Sequence, residues 1–553
     1  MAVLALSSAA AAQEPPQGQP GTDQVPALAQ RDQAPATLLA VRGFAVEGVG
    51  PHSGGDITQA GVQKIADAKF EALAEGHSEA RLRFDQLQAV ANAVTAAYRK
   101  AGYVVATAII PVQTIGADRI VRLQVIEGRI GKVIVQGTTH YDPDVIAAAL
   151  NRLQGRALRA QEVSSAMLYA HDLPGVSVSS ILQPGQNDGE TDLVLTAQEE
   201  KHPVSFDLGV NNYGTELTGK YRALAGVTWD NPIGRGDRLA ASFAYAFEPE
   251  STRQGALSYS VPISPVPGLS FLAGYSRSEL QVNTGLFSVL GIQGPSSNTY
   301  VGADWKFVNT STLQMQGSFR YLRERSQLSA LGEVLSDLQF DAAELGFAMR
   351  RTDVRWRGVD LLTLSVRQAV DDQSRRPDDL YPDHDSRFLV MRASYSRLQY
   401  LAPTQRLVLR VSGQYTRDAL TPMEQFALGG PDNVRAYPLA DALGDRAWAG
   451  SLEYHVDAPG FADRTSPFNG RPWRDLLEFS VFADHGQADP VGANDTSAHP
   501  SVRFGGVGVG ASFRLPQTHN LQLDLTASVP TTSTDASDGK DGVRVYARFG
   551  MTF

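Results

Sequence analysis

The sequence lacks several features that would assign it to a common protein class. It contains no cysteine, so disulfide bonds contribute nothing to its fold. It has no apolar run of the roughly 20 residues that a membrane-spanning helix needs, and its longest run, 104–112, contains Pro111. The net charge is −10, which argues against a dedicated nucleic-acid-binding protein. Strands of a membrane barrel alternate in polarity, so a mean hydropathy of −0.19 still permits a membrane protein.

Catalytic and cofactor-binding motifs are absent as well. The sequence has no G-x-S-x-G, H-E-x-x-H or P-loop motif, and its 10 histidines do not pair at metal-ligand spacing on a helix. A glycine-rich run at 505–510 lies in an alternating segment, where glycine is expected to leave room in a lumen. The aspartates in 535–541 lack the spacing and closing glutamate of a calcium loop. We therefore expect no enzyme, no metal and no cofactor.

The C-terminal segment, in contrast, carries strict alternation. From Val543 to Phe553, apolar side chains occupy the odd positions and mostly polar side chains the even ones. A strand places successive side chains on opposite faces, so one face would be apolar and the other polar. When tilted, a strand of this length crosses a bilayer core. The pattern predicts the closing strand of an outer-membrane barrel, although a half-buried strand of a soluble sandwich shares it.

The same alternation continues through the region from Pro203 to the C-terminus. A soluble sandwich of this size would need longer apolar runs. The fold class that we predict is a transmembrane β-barrel of 16 antiparallel strands, an even number that leaves both ends of the region on the periplasmic side. The expected strands lie near 203–211, 219–230, 237–248, 253–262, 268–278, 298–309, 312–324, 338–350, 358–370, 386–399, 404–418, 447–457, 474–486, 501–514, 519–530 and 542–553.

The region before the barrel has a different organisation. Residues 1–12 have the small-residue pattern of a truncated secretory signal, and residues 13–36 form a flexible, Pro-rich lead-in. Residues 37–129 predict a strand, two helices and two strands, at Leu39–Val46, Ile57–Leu73, Phe84–Ala101, Val105–Val112 and Ile120–Ile126. The order recurs within 130–199, at Lys132–Val135, Asp144–Leu153, Ala160–Leu173, Val176–Pro184 and Asp192–Ala197. Two small α+β domains are thus expected ahead of a barrel at 200–553.

One pair of charged residues stands out in the predicted barrel. Arg435 lies in the longest loop between strands, and Asp484 lies in the lumen-facing register of a strand further on. An arginine on a loop that folds back into the barrel could meet this aspartate in a charge-assisted, bidentate contact. The alternative is an exposed arginine on a loop and a lumenal aspartate bonded to water. Spacing alone leaves both interpretations open.

Several motifs, taken in order, resemble one family. Residues 44–48, 98–103 and 125–130 look like a first POTRA domain, and residues 173–176 with 192–195 look like a second. The start of the barrel, with Asp230 to Asp237, resembles TpsB-type transporters of two-partner (type Vb) secretion. These are relatives of the haemolysin and filamentous-haemagglutinin secretion/activation proteins. The barrel-start motif consists of Asn212, Gly214, Thr218, Gly219 and Arg222.

The resemblance implies roles for further residues. The family's lid-loop motif is matched by Val434, Arg435, Ala436 and Tyr437, and its partner aspartate corresponds to Asp484. Ala436 replaces the usual glycine, so either the turn differs or some strain at positive φ is tolerated. The short lead-in makes the family's N-terminal plug helix an unexpected feature here. By resemblance to outer-membrane proteins generally, Phe553 is part of the signal read during barrel assembly.

The resemblance also implies partners. These are the lipid bilayer, the outer-membrane barrel assembly machinery and a secreted TpsA-type β-helical protein that is unfolded in transit. The POTRA domains would capture this protein in the periplasm, and the barrel would export it. The class of the secreted protein stays open among adhesins, cytolysins, haem scavengers and contact toxins. Two other functions stay open as well: a barrel-assembly insertase of the same superfamily and a passive porin-like channel.

Overall fold

The computed structural model describes residues 38–51, 57–216, 218–248, 250–282, 290–374, 387–495, 500–539 and 542–553. The predicted signal at 1–12 and lead-in at 13–36, with any plug helix there, lie outside the described residues. Within the described part, no helix is long and apolar enough to span a membrane. The described residues divide into two compact units, one of those up to Arg129 with 156–160 and 187–189, and one of the others.

The first unit is an α+β domain. Its elements are β1 (Leu39–Val41), β2 (Gly43–Glu47), α1 (Gln59–Ala74), β3 (Ala80–Leu82), α2 (Phe84–Lys100), β4 (Thr107–Ile109) and β5 (Ile120–Ile126). Helix α2 buries an apolar stripe with helical spacing against the sheet, formed by Leu87, Val90, Ala91, Val94 and Tyr98. The first predicted strand is wrong in one respect: it divides at Arg42, because β1 pairs with β3 while β2 pairs with β5. Strand β4 ends before Pro111, which cannot donate to a ladder.

The second unit begins with another α+β domain. Its elements are β6 (Arg129–Gln136), α3 (Pro143–Asn151), α4 (Ala160–His171), β7 (Val176–Pro184) and β8 (Glu190–Glu199). The sheet order is β6-β8-β7, so β8 is central and β7 lies at an edge. Helix α3 begins after Asp142, whose carboxylate accepts a hydrogen bond from Asp144 N. The strands extend one to three residues beyond the predicted Lys132–Val135 and Asp192–Ala197.

The rest of the second unit is a closed barrel of 16 antiparallel strands, which confirms the predicted fold class. The strands are β9 (Val204–Asn211), β10 (Tyr221–Asp230), β11 (Arg238–Glu248), β12 (Glu250–Pro262), β13 (Leu269–Gln281), β14 (Gln293–Asn309), β15 (Leu313–Ala330), β16 (Glu333–Asp353), β17 (Gly358–Asp372), β18 (Leu389–Ala402), β19 (Gln405–Thr416), β22 (Arg446–Asp457), β23 (Leu477–Asp489), β24 (Val502–Leu515), β25 (Leu521–Pro530) and β26 (Arg544–Thr552). The intervening β20 (Phe426–Leu428) and β21 (Ala442–Gly444) form a separate hairpin.

The last strand closes the ring as its alternation predicts. Strand β26 pairs with β9 from Arg548 opposite Asn211 to Thr552 opposite Asp207. Phe553 continues this pairing, because its N–H donates to the carbonyl oxygen of Phe206 at 2.8 Å. The barrel therefore leaves no free strand edge at the seam.

Three strands extend further than their hydrophobic pattern indicates. The expected strands at 312–324 and 338–350 are β15 and β16, which continue to a tight turn at Leu331 and Gly332. In the extension the two strands are linked by Arg325 and Asp337, whose side chains form a bidentate ion pair. Strand β14 is likewise longer than 298–309. The predicted strands end too early because they were placed by apolar alternation. The hydrogen-bonded ladder continues beyond it, where neither face of the sheet needs apolar side chains.

Candidate functional site

The segment 417–445 between β19 and β22, here called the lid loop, folds back into the barrel. Its two limbs pair as the hairpin β20–β21, which the sequence did not predict. The tip beyond the hairpin packs on the inner faces of the barrel strands. Side chains of the lid loop and of its surroundings form a buried apolar cluster, which comprises Leu428, Val434, Ala436, Tyr437, Ala447, Ala449, Ala488, Phe504 and Ala536. The lid loop is therefore a docked element of the barrel interior.

Arg435 and Asp484 are in direct contact. Arg435 Nε lies 2.8 Å from Asp484 Oδ2 and Nη2 lies 2.7 Å from Oδ1, so the contact is bidentate. The same Nη2 contacts Ser451 Oγ at 2.8 Å and Glu453 Oε1 at 2.9 Å. The guanidinium carbon stands 3.3 Å from the centre of the Phe482 ring. Arg435 is 7% exposed, so a buried ion cluster holds the tip of the lid loop to β22 and β23.

The local turn explains why Arg435 points at the wall. Asn433 Oδ1 accepts hydrogen bonds from Gly429 N and Val434 N, which joins the two ends of the turn before Arg435. Gly430 adopts φ +108°, a region that favours glycine. Ala436 does not occur among the described non-glycine residues with positive φ. The turn therefore accommodates alanine without the expected strain.

Tyr437 docks the other side of the tip. Its ring stacks on Phe504 with centroids 3.9 Å apart and planes 7° from parallel. Its hydroxyl lies 2.7 Å from Thr532 Oγ1, and Tyr546 OH donates to its carbonyl oxygen at 2.9 Å. The tip is thus attached to strands near the barrel seam as well as to β22 and β23.

Glycines in the barrel wall make room for this loop. A Cβ at Gly506 would stand 2.6 Å from Ala436 Cβ, and one at Gly486 would stand 2.6 Å from Leu428 Cδ1. Both distances are shorter than van der Waals contact. The glycine-rich run at 505–510 was predicted to leave space in the lumen, and at Gly506 that space is taken by the lid loop.

Sequence reasoning missed Ser451 and Glu453 as partners of Arg435. They occupy alternate positions of β22, in the register that faces Asp484 across the ladder, with Ser451 opposite Asp484. This register was a usable signal, since lumen-facing positions recur at every second residue. Among the residues that the structure describes, no group of His, Asp and Glu side chains has the geometry of a metal site.

The barrel-start motif forms the first extracellular turn and supports the seam. The side chain of Asn212 donates to Val545 O at 2.9 Å and accepts from Ala547 N at 2.7 Å, which extends the β9–β26 pairing. A Cβ at Gly214 would collide with the carbonyl oxygen of Gly219 at 1.7 Å. Thr218 and Arg222, the other two residues of the motif, are joined to this turn because Arg222 contacts Gly219 O and Thr218 Oγ1. The motif does not contact Arg435 or Asp484 in the described hydrogen bonds.

The second α+β domain is attached to the first periplasmic turn of the barrel. Asp142 N donates to Gly234 O at 2.7 Å, and His140 Nε2 lies 3.1 Å from Asn231 O. A Cβ at Gly234, with φ +82°, would stand 2.4 Å from His140 O, so the close approach requires glycine. This contact gives a structural reason for the glycine at position 234, within the segment from Asp230 to Asp237.

Glu199 shapes the loop that makes this contact. Its carboxylate accepts backbone hydrogen bonds from Thr139, His140 and Tyr141 at 2.7–3.0 Å. Burial alone would raise the pKa of Glu199, but these N–H donors, led by that of Tyr141, outweigh burial and lower the pKa to about 2. The carboxylate is therefore charged under all physiological conditions.

Comparisons with known proteins agree on one family. Residues 189–513 match the family model described as haemolysin secretion/activation protein ShlB/FhaC/HecB, and residues 56–128 match the ShlB-type POTRA domain. The chain is similar to the heme/hemopexin transporter protein HuxB of Haemophilus influenzae, at 23% identity over 82% of this chain and 79% of the relative. It is also similar to the hemolysin transporter protein ShlB of Serratia marcescens, at 24% identity over 89% and 84%. CdiB from Escherichia coli shares the fold, with a TM-score of 0.70 at 18% identity over 96% of this chain and 93% of that one.

Proposed function

Because the chain belongs to the haemolysin secretion/activation family of the ShlB/FhaC/HecB type, we propose that it captures one unfolded secreted protein in the periplasm and exports it through its barrel. The barrel lies in the outer membrane of a Gram-negative bacterium, and POTRA domains of this family lie in the periplasm. The relatives are transporters, two of them named for hemolysin and for heme/hemopexin. The proposal assigns the corresponding role to this chain for a partner of its own.

The docked lid loop is the observation that carries the proposal. A passive pore needs only a wide lumen, whereas this barrel contains a loop held through Arg435 and Asp484. The contacts of Arg435 are ionic and hydrogen-bonded, and water can replace such contacts when the loop moves. We assign Arg435 and Asp484 to holding the loop in the lumen until the partner enters.

The edge of the second α+β domain supports the capture step. Strand β7 pairs with β8 on one side and is the edge strand of its sheet in the described residues. Its side chains Ile181 and Leu182 are 61% and 47% exposed. An open edge with apolar side chains is a site for strand addition by an extended peptide. We infer that β7 binds the unfolded partner in this way.

Transport in this scheme uses no hydrolysis by the chain. The partner threads through the lumen after the lid loop moves, and folding on the outside removes the threaded chain from the equilibrium. Direction then comes from the difference in free energy between the unfolded and folded partner.

Secretion in a defined strain tests the proposal. The chain is expressed with a candidate secreted protein of the TpsA type, and this partner is measured in the medium and the periplasm. We expect secretion to require the chain, and Ile181→Lys to impair it because a charge on an edge strand blocks pairing. Gln198→Lys on the central strand β8 is the matched control. A different result would favour a passive channel: the partner reaches the medium without this chain, and the chain conducts ions.

A further inference from the structure

A second buried ion cluster holds the lid loop near its start. Glu424 is 0% exposed, and its carboxylate contacts Arg367 Nη1 at 2.7 Å and also Arg392 Nη2. The backbone oxygen of Glu424 accepts from Arg392 Nη2 at 3.0 Å and from Gln414 Nε2 at 2.9 Å. Both the side chain and the backbone of this residue are therefore fixed to the barrel wall.

The wall side of the cluster has contacts of its own that do not involve the loop. Arg367 on β17 also contacts Glu344 at 2.8 Å and Glu324 at 3.1 Å. Arg392 on β18 is held by Gln414 at 2.7 Å. Glu424 is the member that the lid loop contributes, and it supplies the carboxylate that Arg392 contacts in the described ion pairs. Without it, the Arg392 guanidinium would be left inside the barrel with only a neutral partner.

This cluster lies on a different part of the wall from the Arg435 contact. Glu424 is bound by β17 and β18, whereas Arg435 is bound by β22 and β23, and the described contacts of the two residues share no partner. The hairpin β20–β21 stands between them along the loop. Asp445 directly follows β21. Its carboxylate accepts a hydrogen bond from Leu420 N at 3.0 Å, which joins the two limbs of the lid loop.

We propose that Glu424 is a second positioning residue of the lid loop, which anchors the base of the hairpin independently of the contact between Arg435 and Asp484. The loop then has two anchors, one at the base and one at the tip. Release of the tip alone would leave Glu424, at the base of the hairpin, bound to β17 and β18, so the lid would move about a fixed base. The relevance of this motion to export rests on the proposed function, but the anchor itself does not.

Thiol labelling tests the anchor, because the chain has no cysteine of its own. Leu420→Cys places a reporter in the lid loop close to Glu424, where Leu420 is 0% exposed and packs on the wall at β16 to β18. We expect Glu424→Gln or Arg392→Gln to speed labelling of this thiol by about tenfold or more. Glu333→Gln, which changes an exposed carboxylate on β16, is the matched control and leaves the rate unchanged.

A second reporter separates loop release from general loosening of the barrel. Ala246→Cys lies on β11, away from β17 and β18, and is 1% exposed, so its labelling follows the barrel. Faster labelling at Leu420→Cys with no change at Ala246→Cys supports the anchor. Equal rates for Glu424→Gln and Glu333→Gln overturn it, as does an equal rise at both reporters. If Glu424→Gln does not assemble into an SDS-resistant barrel, the labelling rate of Arg392→Gln is compared with that of Glu333→Gln instead.

The labelling is done on the purified full chain without any secreted partner. Its result therefore decides the anchor whatever the transported molecule is. Secretion by the same variants tests the proposed function separately. If a variant releases the base of the loop but exports its partner normally, the base anchor exists but has no part in transport.

Discussion

Replacing Arg435 with alanine is expected to release the tip of the lid loop while the barrel stays assembled. The side chain contacts Asp484 at 2.7 and 2.8 Å, Ser451 at 2.8 Å and Glu453 at 2.9 Å. Its removal leaves Asp484 and Glu453, which are 4% and 3% exposed, without this cation. Breaking a buried pair from one side costs about 3–5 kcal/mol. That cost corresponds to at least a roughly 100-fold shift toward the undocked loop.

The two sides of the pair are not equivalent. In Asp484→Asn, Arg435 keeps Glu453 as a charged partner at 2.9 Å, so the guanidinium is not left alone. In Arg435→Ala, two carboxylates lose a shared cation and repel each other across β22 and β23. We therefore expect a smaller release for Asp484→Asn than for Arg435→Ala, and reduced secretion for both.

A single thiol at Val434→Cys measures the release, since Val434 is 0% exposed in the docked loop. The matched control is Arg323→Ala, which breaks another bidentate arginine–aspartate pair, with Asp341, in which the arginine side chain is 58% exposed. The reasoning fails if Arg435→Ala labels no faster than Arg323→Ala. Normal secretion by both Arg435→Ala and Asp484→Ala would in addition remove this pair from the export mechanism.

Three further outcomes are expected. Deleting Phe553 should lower the yield of SDS-resistant barrel, because its N–H pairs with β9 at the seam, and should leave partner binding by the periplasmic domains unchanged in a pull-down. Gly506→Val should speed labelling at Val434→Cys, because its side chain would meet Ala436 Cβ at 2.6 Å; a rate equal to the parent would show that the loop adapts. Glu199→Gln should lower the free energy of unfolding of its domain by about 1 kcal/mol at pH 7. The folded pKa of Glu199, about 2, lies below its ordinary value of 4.5, so this difference from the parent should persist above about pH 4.5 and vanish toward pH 2 in calorimetry.

The barrel could be predicted because its pattern is local. Alternation within each strand indicates which side chains face lipid. Counting the alternating segments gives 16 strands, an even number. The same reasoning placed Asp484 on the inner face of β23, where it is buried. It missed the outer ends of β15 and β16, since ion pairs such as that of Arg325 and Asp337 support a ladder that carries no hydrophobic signal.

The candidate site was predicted only in part, because its contacts join distant parts of the chain. Charge and register pointed to Arg435 and Asp484, and the structure brings these two residues together. Glu453 and Glu424 were missed, since nothing in the neighbouring sequence of either residue specifies which arginine it will meet. The consequence of Ala436 could not be decided from the sequence either, because it depends on a backbone angle.

Two ionic anchors and an apolar cluster at the tip hold the lid loop, and they respond differently when the loop leaves. A substitution such as Arg435→Ala leaves Asp484 buried without its cation, so its cost includes the desolvation of a stranded charge. Departure of the whole loop is different, because water enters and hydrates the groups on both sides. The free energy that the ion pairs contribute to docking is therefore smaller than the mutational cost. The apolar cluster at the tip, in contrast, loses its burial when the loop leaves, unless the incoming chain covers it. A loop anchored by Arg435 at the tip and Glu424 at the base can thus be specifically placed and still be displaced by an incoming chain.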